Sequence, residues 1–219
     1  MIGVIWLRAL YRTEKRSANH VYYSQGITPL HIVHESPWTV SFLIKHANAS
    51  PDVEDPFKRT PLLWALRNIY FPAAKWFPVS VFRGRADFRK AEFMGQSVMH
   101  FVVLRAHSET LDVVTLLAKR LINAGADINA TNFHLRTPLF FLIRSPELIP
   151  LAIEMIEKFG ADVNLSDADG FTVVHLAAIM GRLDYVAVFL PHLRYNYVTP
   201  NGDTVRSCVE NYCLPHATT

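Results

Sequence analysis

Ten histidines, two cysteines and 19 acidic residues would allow metal, acid–base or thiol chemistry if their spacing brought them together. His20, His34, His46, His107, His134, His192 and His216 fall at no ligand spacing such as His-Glu-x-x-His. Cys208 and Cys213 stand five apart with no histidine placed to activate either, so idle thiols are expected. Two cysteines make neither a disulfide framework nor a structural zinc site. Asp162, Asp167 and Asp169 hint at a cation loop but lack its frame, and read instead as turn residues. No Gly-rich phosphate loop and no G-x-S-x-G elbow is present. The chain is therefore read as non-enzymatic, with no metal, no cofactor and no catalytic residue expected.

One stretch could bind nucleic acid. Residues 70–90 interleave Tyr70, Phe71, Trp76, Phe77, Phe82 and Phe88 with Arg83, Arg85, Arg89 and Lys90, and aromatics beside arginines can grip single strands. Against this, the net charge is only +3 and is uneven. Residues 1–90 hold 13 Lys/Arg and 6 Asp/Glu, whereas residues 91–219 hold 9 and 13. Packing or protein binding is the preferred reading, with Arg83, Arg85 and Arg89 as candidate partner contacts and the charge asymmetry as a possible orienting field. No apolar run approaches a membrane span. The apolar start, Met1 to Leu7, is followed rather than preceded by basic residues, so no secretory leader is expected. Free thiols point to an intracellular, cytoplasmic or nuclear setting.

The elements that position these residues are announced by a phrase that returns six times. Gly26-Ile27-Thr28-Pro29-Leu30-His31 recurs at Arg59-Thr60-Pro61-Leu62-Leu63, Gln96-Ser97-Val98-Met99-His100, Arg136-Thr137-Pro138-Leu139-Phe140, Phe171-Thr172-Val173-Val174-His175 and Asp203-Thr204-Val205-Arg206. The Thr/Ser positions are 32, 37, 40, 35 and 32 residues apart. A second marker keeps phase ten residues earlier, as in Ala126-Asp127-Ile128-Asn129 and Ala161-Asp162-Val163-Asn164. A period near 33 means stacked helical units. Thr followed by Pro suits a helix start, with the hydroxyls of Thr137 and Thr172 expected as caps. Second helices are expected over residues 39–45, 111–123, 149–159 and 183–190. Gly125 and Gly160 mark left-handed helix ends.

The phrase and its companion resemble the ankyrin-repeat family, best matched by Gly170-Phe171-Thr172-Val173-Val174-His175-Leu176-Ala177-Ala178-Ile179-Met180-Gly181. The resemblance covers roughly residues 17–213 and implies an all-α helical-repeat solenoid of paired antiparallel helices with short hairpin fingers. A capping helix over residues 1–16 would precede about five repeats and a half repeat over residues 17–219. It further implies structural roles for His31, His100 and His175. The row Ile32, Trp64, Phe101, Phe141 and Leu176 would lie on the concave side. The finger tips would include Glu54, Phe57, Lys58, Arg59, Phe133, His134, Arg136, Asp167, Asp169 and Phe171. Row and tips together are the candidate surface for a protein partner, with a masking inhibitor or substrate receptor as the alternative role and a monomer as the expected state. The second-helix face is expected to be packing and scattered charge. Leu121, Asp127, Ile128 and Asn129 resemble the pattern that asparaginyl hydroxylases accept in ankyrin fingers, making Asn129 a candidate modification site.

Overall fold

The computed structural model describes residues 18–19, 21, 26–33, 36–68, 77–194 and 197–213. The expected capping helix and Tyr70, Phe71 and Trp76 lie outside them. Each phrase opens a helix at its next residue: Pro29–Ile32, Pro61–Asn68, Val98–Leu104, Pro138–Arg144, Val173–Ile179 and Val205–Tyr212. The preceding Thr or Ser is held extended, as at Thr172 with φ −77° and ψ 166°, and proline fits the first helical position because its missing N–H has no partner to lose there. Second helices follow at Pro37–Lys45, Val79–Phe82, Leu111–Ala124, Ile149–Glu157 and Leu183–Phe189. Among the described residues β-structure is limited to isolated bridges such as Ser166 with Thr172.

Two elements depart from expectation. Pro138–Arg144 is a 3-10 helix. Ser145, which precedes Pro146, is extended at φ −147° and ψ 133°, the conformation favoured before proline, and the helix ends there. The first helix partner begins at Pro37 rather than residue 39, because Ser36 caps it, its Oγ accepting from the Thr39 N–H at 3.4 Å.

The chain forms two compact units, residues 1–105 with 112–127 and residues 106–111 with 128–219. In the first, Pro61–Asn68 packs against both Pro29–Ile32 and Val98–Leu104, burying Leu30, Leu62, Leu63, Leu66 and Met99. In the second, Val173–Ile179 packs against Pro138–Arg144, Leu183–Phe189 and Val205–Tyr212, burying Leu139, Leu142, Val174 and Phe189. Arginines brace helix ends: Arg120 reaches the Phe77 carbonyl at 2.7 Å in the first unit, and Arg182 the Ile143 carbonyl at 3.0 Å in the second. The Arg182 bond is charge-assisted and serves a carbonyl in the last turn of Pro138–Arg144, where the helix leaves carbonyls free; the Arg120 bond serves the carbonyl just before Val79–Phe82.

The second sequence marker is a ladder. Asn19 Oδ1 accepts from the Ser50 N–H (2.6 Å), Asp52 from Asp87 (2.9 Å), Asn129 from Asp162 (2.9 Å) and Asn164 from Arg194 (2.6 Å). Four repeats thus lend one side-chain oxygen to the backbone of the next, whereas Arg89 stands at the corresponding position of the third and has no oxygen to lend.

Two residues before each phrase Thr or Ser the backbone turns left-handed. The position is glycine in four repeats but Lys58 (φ 58°) and Leu135 (φ 56°) in two. A side chain there is strained by roughly 1–2 kcal/mol. At Gly170 the strain would be joined by a clash, since an added Cβ would stand 2.4 Å from the Pro200 ring. Leu135→Gly is expected to be neutral or stabilising by up to about 1 kcal/mol, after the entropy glycine adds to the unfolded chain. Gly170→Ala is expected to destabilise. Thermal melts of the two variants check this, and a Leu135→Gly protein that melts well below the parent would contradict it.

Candidate functional site

In the first unit the finger between repeats is built around Asp55. Its Oδ1 accepts the N–H groups of Phe57 and Arg59, both at 2.9 Å, and its Oδ2 takes Arg59 Nε at 2.7 Å and Nη2 at 2.6 Å. A carboxylate with 1% of its side chain exposed is tolerable only with its lone pairs filled in this way. The bonds hold the Arg59 guanidinium 4.7 Å from the Phe57 ring and 4.4 Å from the Trp64 ring, cation–π distances. Trp64 meets His31 edge-on at 6.0 Å. Phe57 lies 5.9 Å from Phe93, whose N–H donates to the Phe57 carbonyl at 3.0 Å. Phe57, Phe93 and Met94 stay 52%, 48% and 43% exposed. The cluster joins four rings and one guanidinium on a fixed frame.

The second unit solves the same turn with an amide. Asn132 Oδ1 accepts from His134 (2.9 Å) and Arg136 (3.1 Å). A neutral amide offers Arg136 no ion pair. Arg136 reaches instead to Asp167 of the next finger, with Nε at 3.1 Å and Nη2 at 3.0 Å. Asp167 Oδ1 meanwhile accepts from Asp169 and Phe171. Phe133 is 69% exposed beside Leu135, while Phe171 is half-buried against His175 at 6.3 Å.

The phrase histidines clasp the helix starts. His31 Nδ1 accepts from the Thr28 N–H at 3.1 Å, so its proton sits on Nε2, which donates to the Arg59 carbonyl at 3.1 Å. Thr28 Oγ1 lies 2.8 Å from the same Nδ1. Ser97 with His100 and Thr172 with His175 repeat the pairing at 2.9 and 2.8 Å. The expected cap at Thr172 is thus a bond to histidine. Phe140 replaces histidine in the fourth repeat and leaves the buried Thr137 Oγ1 without a partner among the described residues. Burial holds His31 and His175 below the ordinary imidazole pKa, opposed at His31 by the Arg59 carbonyl and at His175 by the charge of Asp203.

The residues singled out from sequence separate into groups. Phe57, Arg59 and Trp64 come together, and Phe93 joins them without having been anticipated; its signal was its place one residue after the turn position, at Glu92, that Asp55 fills in the preceding finger. In the aromatic row Ile32 is exposed, Trp64, Phe141 and Leu176 are half-buried, and Phe101 is buried at 6% exposure. Phe77, Phe82 and Phe88 are buried as well, so these rings are unavailable to stack on bases. Arg83, Arg85 and Arg89 are exposed. Arg85 reaches the Ile44 carbonyl at 3.2 Å, and Arg89 pairs with Asp87. Asn129 uses both ends of its amide, Nδ2 donating to the Gly160 carbonyl at 3.1 Å and Oδ1 serving the ladder. The second-helix face is not only packing and charge. Starting at Pro37 places Trp38, Phe42 and His46 on one line at four-residue spacing. Trp38 and Phe42 stack at 5.5 Å over a groove of about 340 Å³. Among the described residues no three His, Cys, Asp or Glu side chains form a possible metal site, and no helix is long and apolar enough to cross a membrane.

Two outcomes follow from the clasp. Thr137→Val is expected to be neutral or stabilising, because it removes an unsatisfied hydroxyl, whereas Thr172→Val is expected to cost about 1 kcal/mol. Equal losses in denaturant melts would refute the distinction. With histidine pKa values lowered on folding, the unfolded chain binds more protons below about pH 6.5, so stability is full above that pH and falls as the pH drops toward the folded-state values. His31→Gln is expected to flatten part of that slope, and an unchanged slope would remove His31 as its source.

No protein-family model matches the sequence. A segment of 102 residues is 31% identical to the nuclear factor NF-kappa-B p105 subunit of Gallus gallus, covering 45% of this chain and 10% of that protein. Another of 89 residues is 30% identical to a probable palmitoyltransferase AKR2 of Saccharomyces uvarum, covering 40% of this chain and 12% of that protein. The match thus spans about a tenth of the length of these curated relatives. Among solved structures, the ankyrin repeat domain of Bcl-3, described as a member of the IkappaB protein family, superposes with a TM-score of 0.73 over 94% of this chain and 90% of that one, at 24% identity. With the six-fold phrase, the helix pairs and the finger turns already in place, the chain has the all-α fold of an ankyrin-repeat array.

Proposed function

We propose that this chain is a non-catalytic binding module that captures a protein partner on its finger tips and first-helix row. The observation that carries the reading is the cluster of Phe57, Arg59, Trp64 and Phe93, exposed in part and locked by hydrogen bonds to buried Asp55. Interface energy concentrates in aromatic and arginine side chains held rigidly before the partner arrives. Phe133 and Arg136 offer a second finger of the same composition in the other unit. Phe141, Leu176 and Phe171 contribute their half-exposed edges, whereas Phe101 is buried and offers a partner little surface. Arg83, Arg85 and Arg89 affect mainly the rate of association and its salt dependence.

The test is affinity capture from the native cell extract with the parent chain and with Phe57→Ala combined with Phe93→Ala. Both rings are exposed, so circular dichroism is expected to be unchanged. The affinity of the captured protein is expected to fall by at least about 2 kcal/mol. Equal affinity for a folded double variant would place binding elsewhere.

A further inference from the structure

Charge around the first-unit cluster is one-sided once internal bonds are accounted for. Asp55 is buried under Arg59, Glu54 is held by Lys90, Asp87 by Arg89, Asp52 Oδ1 accepts the Asp87 N–H, and Glu92 is buried. Every carboxylate of these two fingers is therefore bonded internally or out of reach. The cations are not all spent. Lys58 stands exposed between Phe57 and Arg59 on a left-handed turn, and Arg67 is exposed one helical turn beyond Trp64 on the same side of Pro61–Asn68. Neither side chain has a hydrogen-bond or ion-pair partner among the described residues. Arg59 is spent on Asp55 through Nε and Nη2, with only 12% of its side chain exposed. The first unit's described residues carry 11 Lys/Arg against 7 Asp/Glu.

Resting on the binding reading above, we infer that the occupant of this cluster is an acidic peptide segment that also carries aromatic or long aliphatic side chains. Its apolar side chains cover the Phe57 and Phe93 faces and Met94. Its carboxylates meet Lys58 and Arg67, the exposed cations on either side of the rings. A basic segment would set like charges against Lys58 and Arg67 with no free carboxylate to receive them. A base stacked on the exposed rings is the competing ligand, and the test separates the two.

The experiment titrates the full chain with three probes: a short synthetic peptide of alternating Glu and Leu or Phe, the same peptide with every Glu changed to Lys, and a single-stranded oligonucleotide of equal length. Fluorescence anisotropy of labelled probes reads affinity. The acidic peptide is expected to bind at least about tenfold more tightly than the basic one, and to weaken as salt rises. Lys58→Glu with Arg67→Glu is expected to reverse that preference; both side chains are exposed, so the variant folds. Phe57→Ala with Phe93→Ala is expected to weaken the acidic peptide at least about tenfold. Equal binding of both peptides, tighter binding of the oligonucleotide, or indifference to the Lys58/Arg67 variant would overturn the acidic-segment proposal. Loss of the captured protein in the Phe57/Phe93 variant alongside such a result would leave the binding site standing and remove only the chemistry assigned to its occupant.

Discussion

A turn with no sheet behind it must satisfy its own backbone, and the fold depends on that constraint. Between repeats the chain reverses through a handful of residues whose N–H groups have no strand to bond. A single side-chain oxygen meets the need: Asp55, Asn132 and Asp167 each accept two N–H groups from the residues two and four positions on. Thr199 does a smaller version with Asp203 at 3.0 Å. In the repeats that carry the clasp, as at His31, Thr and His then fix where the following helix starts. Helices in this array are short, down to four residues at Pro29–Ile32, far below the length at which a helix is stable alone. The turns and the packing of neighbours hold them.

Much of this frame was legible in the sequence because it rests on local chemistry. The Thr or Ser of each phrase placed every first helix to within a residue, and Gly125 and Gly160 have positive φ as a left-handed helix end requires. What escaped reading depends on partners distant in sequence. Nothing near Thr137 says its hydroxyl will be orphaned except that Phe140 stands where three other repeats have histidine. Pro146 goes with the end of Pro138–Arg144 at Ser145, but nothing in the local sequence accounts for its 3-10 form. The aromatic row could not be divided by pattern alone: Trp64 and Phe101 hold equivalent positions, yet one packs under a guanidinium at the surface and the other is buried. The repeat register places Phe93 beside a turn, but nothing local places it against Phe57, 36 residues away.

The two fingers also show how one substitution redirects an ion pair. With aspartate at the turn, Arg59 is retained within its own finger and its flat face is sandwiched between rings. With asparagine there, Arg136 is released to the neighbouring finger. The first arrangement makes a self-contained patch; the second ties two repeats together and leaves Phe133 standing alone. Surface character is thus decided by whether a buried oxygen carries charge.

The ladder has a direction. Each rung runs from the side chain of one repeat to the backbone of the repeat that follows, and the backbone end accepts whatever residue stands there: Ser50, Asp87, Asp162 or Arg194. Because the receiving end is blind to residue type, a repeat that carries the Asn or Asp can precede any other without mending the joint. Recombination that duplicates, deletes or shuffles whole repeats would leave these junctions intact. The residues that face outward could then diversify by exchange of cassettes as well as by point substitution.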